Sequence, residues 1–180
     1  PWIDGPVLEL AWQLPESKLL LDAASGWGKW AWLYGKHLHH LNPTIVALDL
    51  YLRDIQRWHD GPVIRACVSA LPFRPRAFDL TFFTEALEHL PKEKGMEAVK
   101  EILRISKECV ITTPCKYFRS CAFEGNDLLY HQSVWTKKDF HKFGLITRKI
   151  KNFLLATSIR PQSPLVRVRR RLLPFIVRRF

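Results

Sequence analysis

The chain has 180 residues, of which 47% are hydrophobic and 25% charged, so it is long enough to form one globular domain with a substantial core. No apolar run approaches the roughly 18 residues that span a bilayer, and the acid at Asp4 is not typical of a secretory signal. The net charge of +11 is confined to the last part of the chain, because eleven basic residues and no acid follow Asp139.

Short apolar runs alternate with helical stretches along the first two thirds of the chain. The predicted strands are Leu19–Leu21, Thr44–Leu48, Pro62–Val68, Phe78–Phe83 and Cys109–Thr113, and the predicted helices are Trp27–Leu41, Leu50–Trp58 and Pro91–Lys107. This alternation predicts an α/β fold: a Rossmann-like, doubly wound, mostly parallel sheet with helices on both faces.

The sequence after Lys116 is less regular. Residues 116–132 are predicted to form a long loop of the kind that often carries function. A helix in "TKKDFHKFG" is predicted to end at Gly144, and one or two strands follow in "LITRKIKNFLLAT". We expect a domain over residues 1–160 and a separate basic tail over residues 161–180.

The stretch "LLLDAASGWGKW" indicates a binding site for a nucleoside-containing cofactor. Asp22 ends the first strand, and Gly26 and Gly28 form a turn that lets a ligand approach the backbone at the start of the next helix. Asp49 ends the second strand, where its carboxylate can accept hydrogen bonds from both ribose hydroxyls. An anion at Asp22 suits the ammonium group of S-adenosylmethionine better than a pyrophosphate.

These residues resemble a known family. "LLLDAASGWGKW" is similar to motif I, D-x-G-x-G-x-G, of class I S-adenosylmethionine-dependent methyltransferases, with Ala24 in place of the first glycine. "LPFRPRAFDLTFFTEALEHL" resembles the signature of the type 11 branch. The resemblance implies the class I methyltransferase fold and S-adenosylmethionine as cofactor. It also implies the binding residues Asp22, Ala24, Gly26, Gly28 and Asp49, the backbone near Val68 and Ser69, and Glu85.

Cys67 is a departure from the family pattern. It stands where the family usually has an acid that accepts from the adenine amino group, and a thiol is a weak acceptor. Adenine is therefore expected to depend more on backbone groups near Val68 and Ser69.

The predicted function is methyl transfer from S-adenosylmethionine to an unidentified acceptor, with no metal ligand assigned. An alternative is a metal-assisted O-methyltransferase. The E-x-x-E-H pattern of Glu85, Glu88 and His89, with His131 before Trp135, resembles ubiquinone-pathway and small-RNA 3′-end O-methyltransferases, whose acids and histidines hold a divalent ion. In the other interpretation, Glu88 favours the start of the coming helix and His89 is a buried histidine.

Two other functions remain open from the residues alone. The first is a nucleotide-dependent oxidoreductase, which Asp22 and the absence of a second catalytic domain disfavour. The second is a non-catalytic cofactor-binding module associated with RNA or a membrane, which Cys67 and the basic tail would suit. The tail itself has three interpretations, namely docking on the domain, contact with an anionic membrane or contact with RNA phosphates. The cysteines form no CxxC pair, which is typical of free thiols in a reducing compartment, so a cytoplasmic location is predicted. The basic tail leaves peripheral membrane association open.

Overall fold

The computed structural model describes residues 3–14, 17–39, 42–52, 60–117 and 130–160. Four α-helices lie in this part of the chain: α1 (Asp4–Ala11), α2 (Lys29–Leu38), α3 (Lys92–Ile105) and α4 (Lys137–His141). The strands are β1 (Leu19–Ala23), β2 (Thr44–Asp49), β3 (Val63–Arg65), β4 (Phe78–Thr84), β5 (Ser106–Pro114), β6 (Ile146–Ile150) and β7 (Phe153–Thr157). A 3₁₀ turn, Leu87–His89, connects β4 to α3.

The strands form one sheet in the order β3-β2-β1-β4-β5-β7-β6. The first five strands are parallel, while β7 runs antiparallel to both β5 and β6. The central strands β1, β2 and β4 are nearly continuous apolar runs because helices cover both faces of a parallel sheet. The predicted doubly wound fold is confirmed.

Two apolar clusters cover the two faces of the sheet. On one face α3 and α4 pack against the sheet through residues such as Val99, Ile102 and Phe140. On the other face α1 and α2 contribute Val7, Leu8, Ala31 and Tyr34 to the core. Alternate residues of a strand point to opposite faces, so Leu20 joins the second cluster and Leu21 the first.

Several predicted elements differ in extent. The third strand is only Val63–Arg65, because Gly61 and Pro62 precede it and its pairing partner β2 ends at Asp49. The helix α1 was not predicted, since its eight residues include Gly5 and Pro6. The predicted helix 50–58 and the tail 161–180 fall largely or wholly outside the described residues. Within the part of the chain that the structure describes, no helix combines the length and apolarity needed to cross a bilayer.

Candidate cofactor and acceptor site

The turn between β1 and α2 is built on three residues with left-handed backbone angles. Ala24 has φ 54°, Gly26 has φ 57° and Gly28, which precedes the first residue of α2, has φ 80°. Glycine adopts this conformation without steric cost, whereas the Cβ of Ala24 makes it unfavourable. Ser25 N donates to Leu48 O (2.9 Å), so the turn is attached to the carboxyl end of β2.

Asp22 lies inside β1 and is completely buried, although a strand-ending position was predicted. Its Oδ2 accepts from Ser25 Oγ (2.8 Å), while its buried Oδ1 accepts no hydrogen bond from the described residues. Burial raises the pKa of Asp22 to about 7, although the Ser25 hydroxyl and the nearby Ala31 N–H act in the opposite direction. A buried carboxylate with a free oxygen is a site that a cation would stabilise.

Asp49 is positioned by the glycine turn itself. Its Oδ2 accepts from Gly26 N (2.8 Å) and its Oδ1 from Tyr51 N (2.8 Å). Burial raises the pKa of this carboxyl, and the hydrogen bonds from the backbone partly offset that effect. Each carboxylate oxygen can accept a further hydrogen bond, so Asp49 keeps the capacity to bind a ribose.

The segment after β3 contains the residues predicted beside adenine. Val68 is buried and Ser69 half-buried, while the Cys67 thiol is exposed and lies 3.1 Å from Ser69 Oγ. The following residues are fixed from α3, because Glu101 accepts from Leu71 N (2.8 Å). The guanidinium of Arg104 also donates to the Leu71 and Phe73 carbonyls.

Glu85 follows β4 directly and has a strained backbone. Its φ of 52° is unusual for a residue with a side chain, and Glu85 N donates to Thr112 O of β5 (2.9 Å). Non-glycine residues in this conformation are often found at functional sites. Glu85 is half-buried, and its charge contributes to raising the pKa of Glu88.

Three side chains in the 3₁₀ turn and the segment after residue 129 converge. Ligand-capable atoms of Glu88, His89 and His131 lie within 4.8 Å of one another, and the two imidazole rings are 4.8 Å apart between centroids. Glu88 is buried, with its Oε2 accepting from Thr113 Oγ1 (3.0 Å), and burial raises its pKa to about 7. Burial lowers the pKa of His131, which favours the neutral imidazole that a metal binds. Glu85, the fourth residue of the alternative metal set, is not part of this cluster.

The cluster is assembled by hydrogen bonds between segments that are far apart in sequence. Gln132 N and Ser133 N both donate to Glu88 O (2.8 and 3.1 Å), and Gln132 Nε2 donates to His89 O (2.7 Å). The indole of buried Trp135 donates to Ser133 Oγ (2.9 Å), which anchors the segment to the core. His131 is held beside His89 by this network.

Sequence reasoning missed several residues of the site. Ser25 lies beside the predicted glycine turn and Thr113 ends the predicted strand Cys109–Thr113, but neither was assigned a role from the sequence. Gln132 carries no local signal, because its partner His89 lies 43 residues away. Two tryptophans lie beside the glycine turn on the surface: Trp27 in the turn and Trp32 in α2 have exposed fractions of 46% and 41%.

The fold and site together define a class of protein. A parallel sheet with a glycine turn after β1 and a carboxylate at the end of β2 is a Rossmann-like domain for a nucleoside-containing cofactor. Residues 21–109 match the family model described as a methyltransferase domain. The chain belongs to the class I S-adenosylmethionine-dependent methyltransferases, in the type 11 branch, and S-adenosylmethionine is its methyl donor. The predictions of an enzyme and of methyl transfer are confirmed.

Solved structures show the same fold at low sequence identity. The PH0226 protein from Pyrococcus horikoshii OT3 aligns with a TM-score of 0.65 and 16% identity, over 86% of this chain and 87% of that one. The Burkholderia thailandensis 1,6-didemethyltoxoflavin-N1-methyltransferase, solved with its substrate and S-adenosylhomocysteine, gives 0.62 and 14%, over 86% and 75%. The methyltransferase domain of bacterial CtHen1 gives 0.64 and 19%, over 87% and 96%. No curated protein matches the sequence.

Proposed function

We propose that this methyltransferase acts on a hydroxyl oxygen and that Glu88, His89 and His131 bind a divalent ion beside the methyl acceptor. The observation that carries the proposal is the convergence of these three side chains within 4.8 Å. When bound, the ion would lower the pKa of the acceptor hydroxyl and orient it.

The residues present suit such an ion. A carboxylate and two imidazoles form a mixed oxygen and nitrogen donor set that binds several first-row divalent metals. The Glu88 carboxylate is buried near the charge of Glu85, an arrangement that a cation would stabilise. The Thr113 hydroxyl holds one Glu88 oxygen, so the carboxylate is oriented by a second residue, as ligands in metal sites commonly are.

For the methyl donor, we propose that each end is held by one carboxylate. Asp22 attracts the ammonium group, directly or through water, and Asp49 accepts from the ribose hydroxyls. Ala24, Gly26 and Gly28 allow the ligand to lie against the turn. The backbone near Val68 and Ser69 contacts adenine, and the chain around Glu85 borders the methionine end. Catalysis then depends mainly on holding the acceptor oxygen in line with the sulfonium methyl group.

Two likenesses support the O-methyltransferase proposal. The spacing of Glu85, Glu88 and His89 with a histidine before Trp135 resembles the small-RNA 3′-end enzymes. The methyltransferase domain of CtHen1 shares the fold of this chain over most of its length.

The test is metal binding, followed by methyl transfer with and without metal. Titration of MnCl₂ into the metal-free protein by calorimetry should show one site that is lost in His131→Ala. The variant His141→Ala, which removes an exposed histidine bonded to Thr147, should bind Mn²⁺ like the wild type. Both variants should bind S-adenosylhomocysteine normally, which shows that the fold is intact.

Activity provides the second arm. Transfer of a radiolabelled methyl group to a panel of hydroxyl, amine and carboxyl acceptors, including catechols and RNA 3′ ends, should stop after exhaustive chelation. It should return on addition of Mn²⁺ or Co²⁺. Activity that survives chelation, or unchanged Mn²⁺ binding in His131→Ala, would refute the metal-assisted reaction without affecting the methyltransferase assignment.

For the remainder of the chain we propose that the arginine-rich tail 161–180 contacts RNA or an anionic membrane, and that the enzyme is cytoplasmic or peripheral to the membrane. The stretch "PLVRVRRR", which combines four arginines with four apolar residues and contains no acid, supports this proposal. Deleting residues 161–180 and measuring binding to liposomes and to RNA at two salt concentrations tests it.

A further inference from the structure

The second half of the described chain carries an excess of positive charge outside the tail. Helix α4, its C-cap residue and strand β6 together carry five exposed cationic side chains, which we call the basic edge: Lys137, Lys138, Lys142, Arg148 and Lys149. The two elements pack together, and His141 of α4 is hydrogen-bonded to Thr147 of β6 (3.0 Å).

No carboxylate among the described residues forms an ion pair with any member of the basic edge. The only acid in residues 130–160 is Asp139, and its carboxylate is already paired with Lys92 of α3 (2.9 Å) and bonded to Thr136. The positive charge of this surface is therefore not neutralised locally, which makes it complementary to a polyanion.

Protection of the sheet edge explains only part of this charge. Strand β6 lies at one end of the sheet, and cationic residues such as Arg148 and Lys149 discourage a second chain from pairing there. The lysines of α4 lie on a helix and not on an edge strand, so edge protection does not explain them. Lys138 and the C-cap residue Lys142, whose backbone angles are still helical, are four residues apart and so lie on the same side of α4.

The shape of the surface favours a nucleic acid over a membrane. Arg148 and Lys149 are neighbours on a strand and point to opposite faces of the sheet, so the charge wraps around an edge instead of forming a plane. Membrane-surface segments insert large apolar side chains, but Ile146 is the one exposed large apolar residue described on α4 and β6.

We propose that the basic edge binds the phosphodiester backbone of a nucleic acid. The proposal does not depend on the metal site, because it concerns a different set of residues. Backbone phosphates contact lysine and arginine without regard to base sequence, so the expected interaction is electrostatic and salt-dependent.

The test compares two variants of the full chain that lose the same charge. One combines Lys138→Gln, Lys142→Gln and Lys149→Gln in the basic edge. The control combines Arg74→Gln, Lys94→Gln and Lys100→Gln, which are exposed cations on and near α3. The assay is fluorescence anisotropy of a labelled 20-nucleotide single-stranded RNA, measured over a range of salt concentrations. S-adenosylhomocysteine binding by both variants checks the fold.

For the wild type we expect RNA binding that weakens steeply with salt. Removing three phosphate contacts should reduce the slope of log K against log salt by about 2, since each single-strand contact contributes about 0.7. The control should keep the wild-type slope. An equal loss of RNA affinity in the two variants, or no RNA binding by the wild type, would overturn the proposal. So would a basic-edge variant that loses binding to phosphatidylserine vesicles but keeps its binding to RNA.

Discussion

Replacing Asp22 by asparagine is expected to stabilise the unliganded protein while weakening cofactor binding. Burial raises the pKa of Asp22 from 3.8 to about 7, which corresponds to about 4 kcal/mol of lost stability once the carboxyl is ionised in both states. Asparagine has nearly the same shape and stays neutral, so it should avoid this cost.

The stability difference between the wild type and Asp22→Asn should depend on pH in a definite direction. Below pH 3.8 the carboxyl is protonated in the folded and unfolded states, so Asp22 carries no electrostatic penalty there. As the pH rises toward 7 the unfolded chain loses this proton first, and the wild type becomes progressively less stable than Asp22→Asn. The stability gain of the variant should therefore grow by about 2 to 3 kcal/mol between pH 5 and pH 8.

Urea denaturation at pH 5 and pH 8, followed by tryptophan fluorescence, measures this difference. Asp60→Asn, which changes an exposed aspartate, should leave the stability unaltered at both pH values. Calorimetry at pH 8 should show S-adenosylhomocysteine binding to Asp22→Asn at least about tenfold more weakly, a loss typical of a charge-assisted contact. Binding of 5′-methylthioadenosine, which lacks the ammonium group, should be unchanged. A stability gain that does not vary with pH would show that ionisation of Asp22 is not its cause, and equal losses for both ligands would show that Asp22 does not bind the ammonium group.

Three further substitutions test other parts of the structure. Ala24→Gly should raise the free energy of unfolding by about 1 kcal/mol, because alanine is strained at φ 54°, and a loss in urea denaturation would contradict this. In Gly95→Ala the new Cβ would lie 2.4 Å from the Trp135 ring, so stability should fall by about 2 kcal/mol. The control Gly35→Ala, with its nearest contact at 3.6 Å, should be neutral or stabilising. Cys67→Asp should bind S-adenosylhomocysteine about fivefold more tightly through one added hydrogen bond to adenine, and unchanged affinity would show that adenine lies elsewhere.

The sheet was predictable because its central strands bury both faces. Apolar runs such as "TIVAL" and "FDLTFF" identify such strands without knowledge of their neighbours, and acids placed beside a glycine turn identify the cofactor end. Helix α1 was not predictable in the same way, since its burial comes from packing against α2 and the sheet and not from a strong local pattern.

The acceptor side was only partly predictable. Glu88 and His89 are adjacent, so their proximity follows from the sequence, but the position of His131 depends on backbone hydrogen bonds made by residues 132 and 133. The left-handed conformation of Glu85 also has no sequence signal, because the backbone of β5 imposes it through the Thr112 carbonyl. Long-range contacts of this kind appear only once the chain is folded.

Calorimetric titration of the wild type and Asp49→Ala with S-adenosylhomocysteine and with NAD tests the cofactor assignment most directly. We predict that the wild type binds one S-adenosylhomocysteine and no NAD, and that Asp49→Ala weakens this binding at least about tenfold because the ribose loses its acceptor. Binding of NAD alone, or an unchanged affinity for S-adenosylhomocysteine in Asp49→Ala, would contradict this assignment.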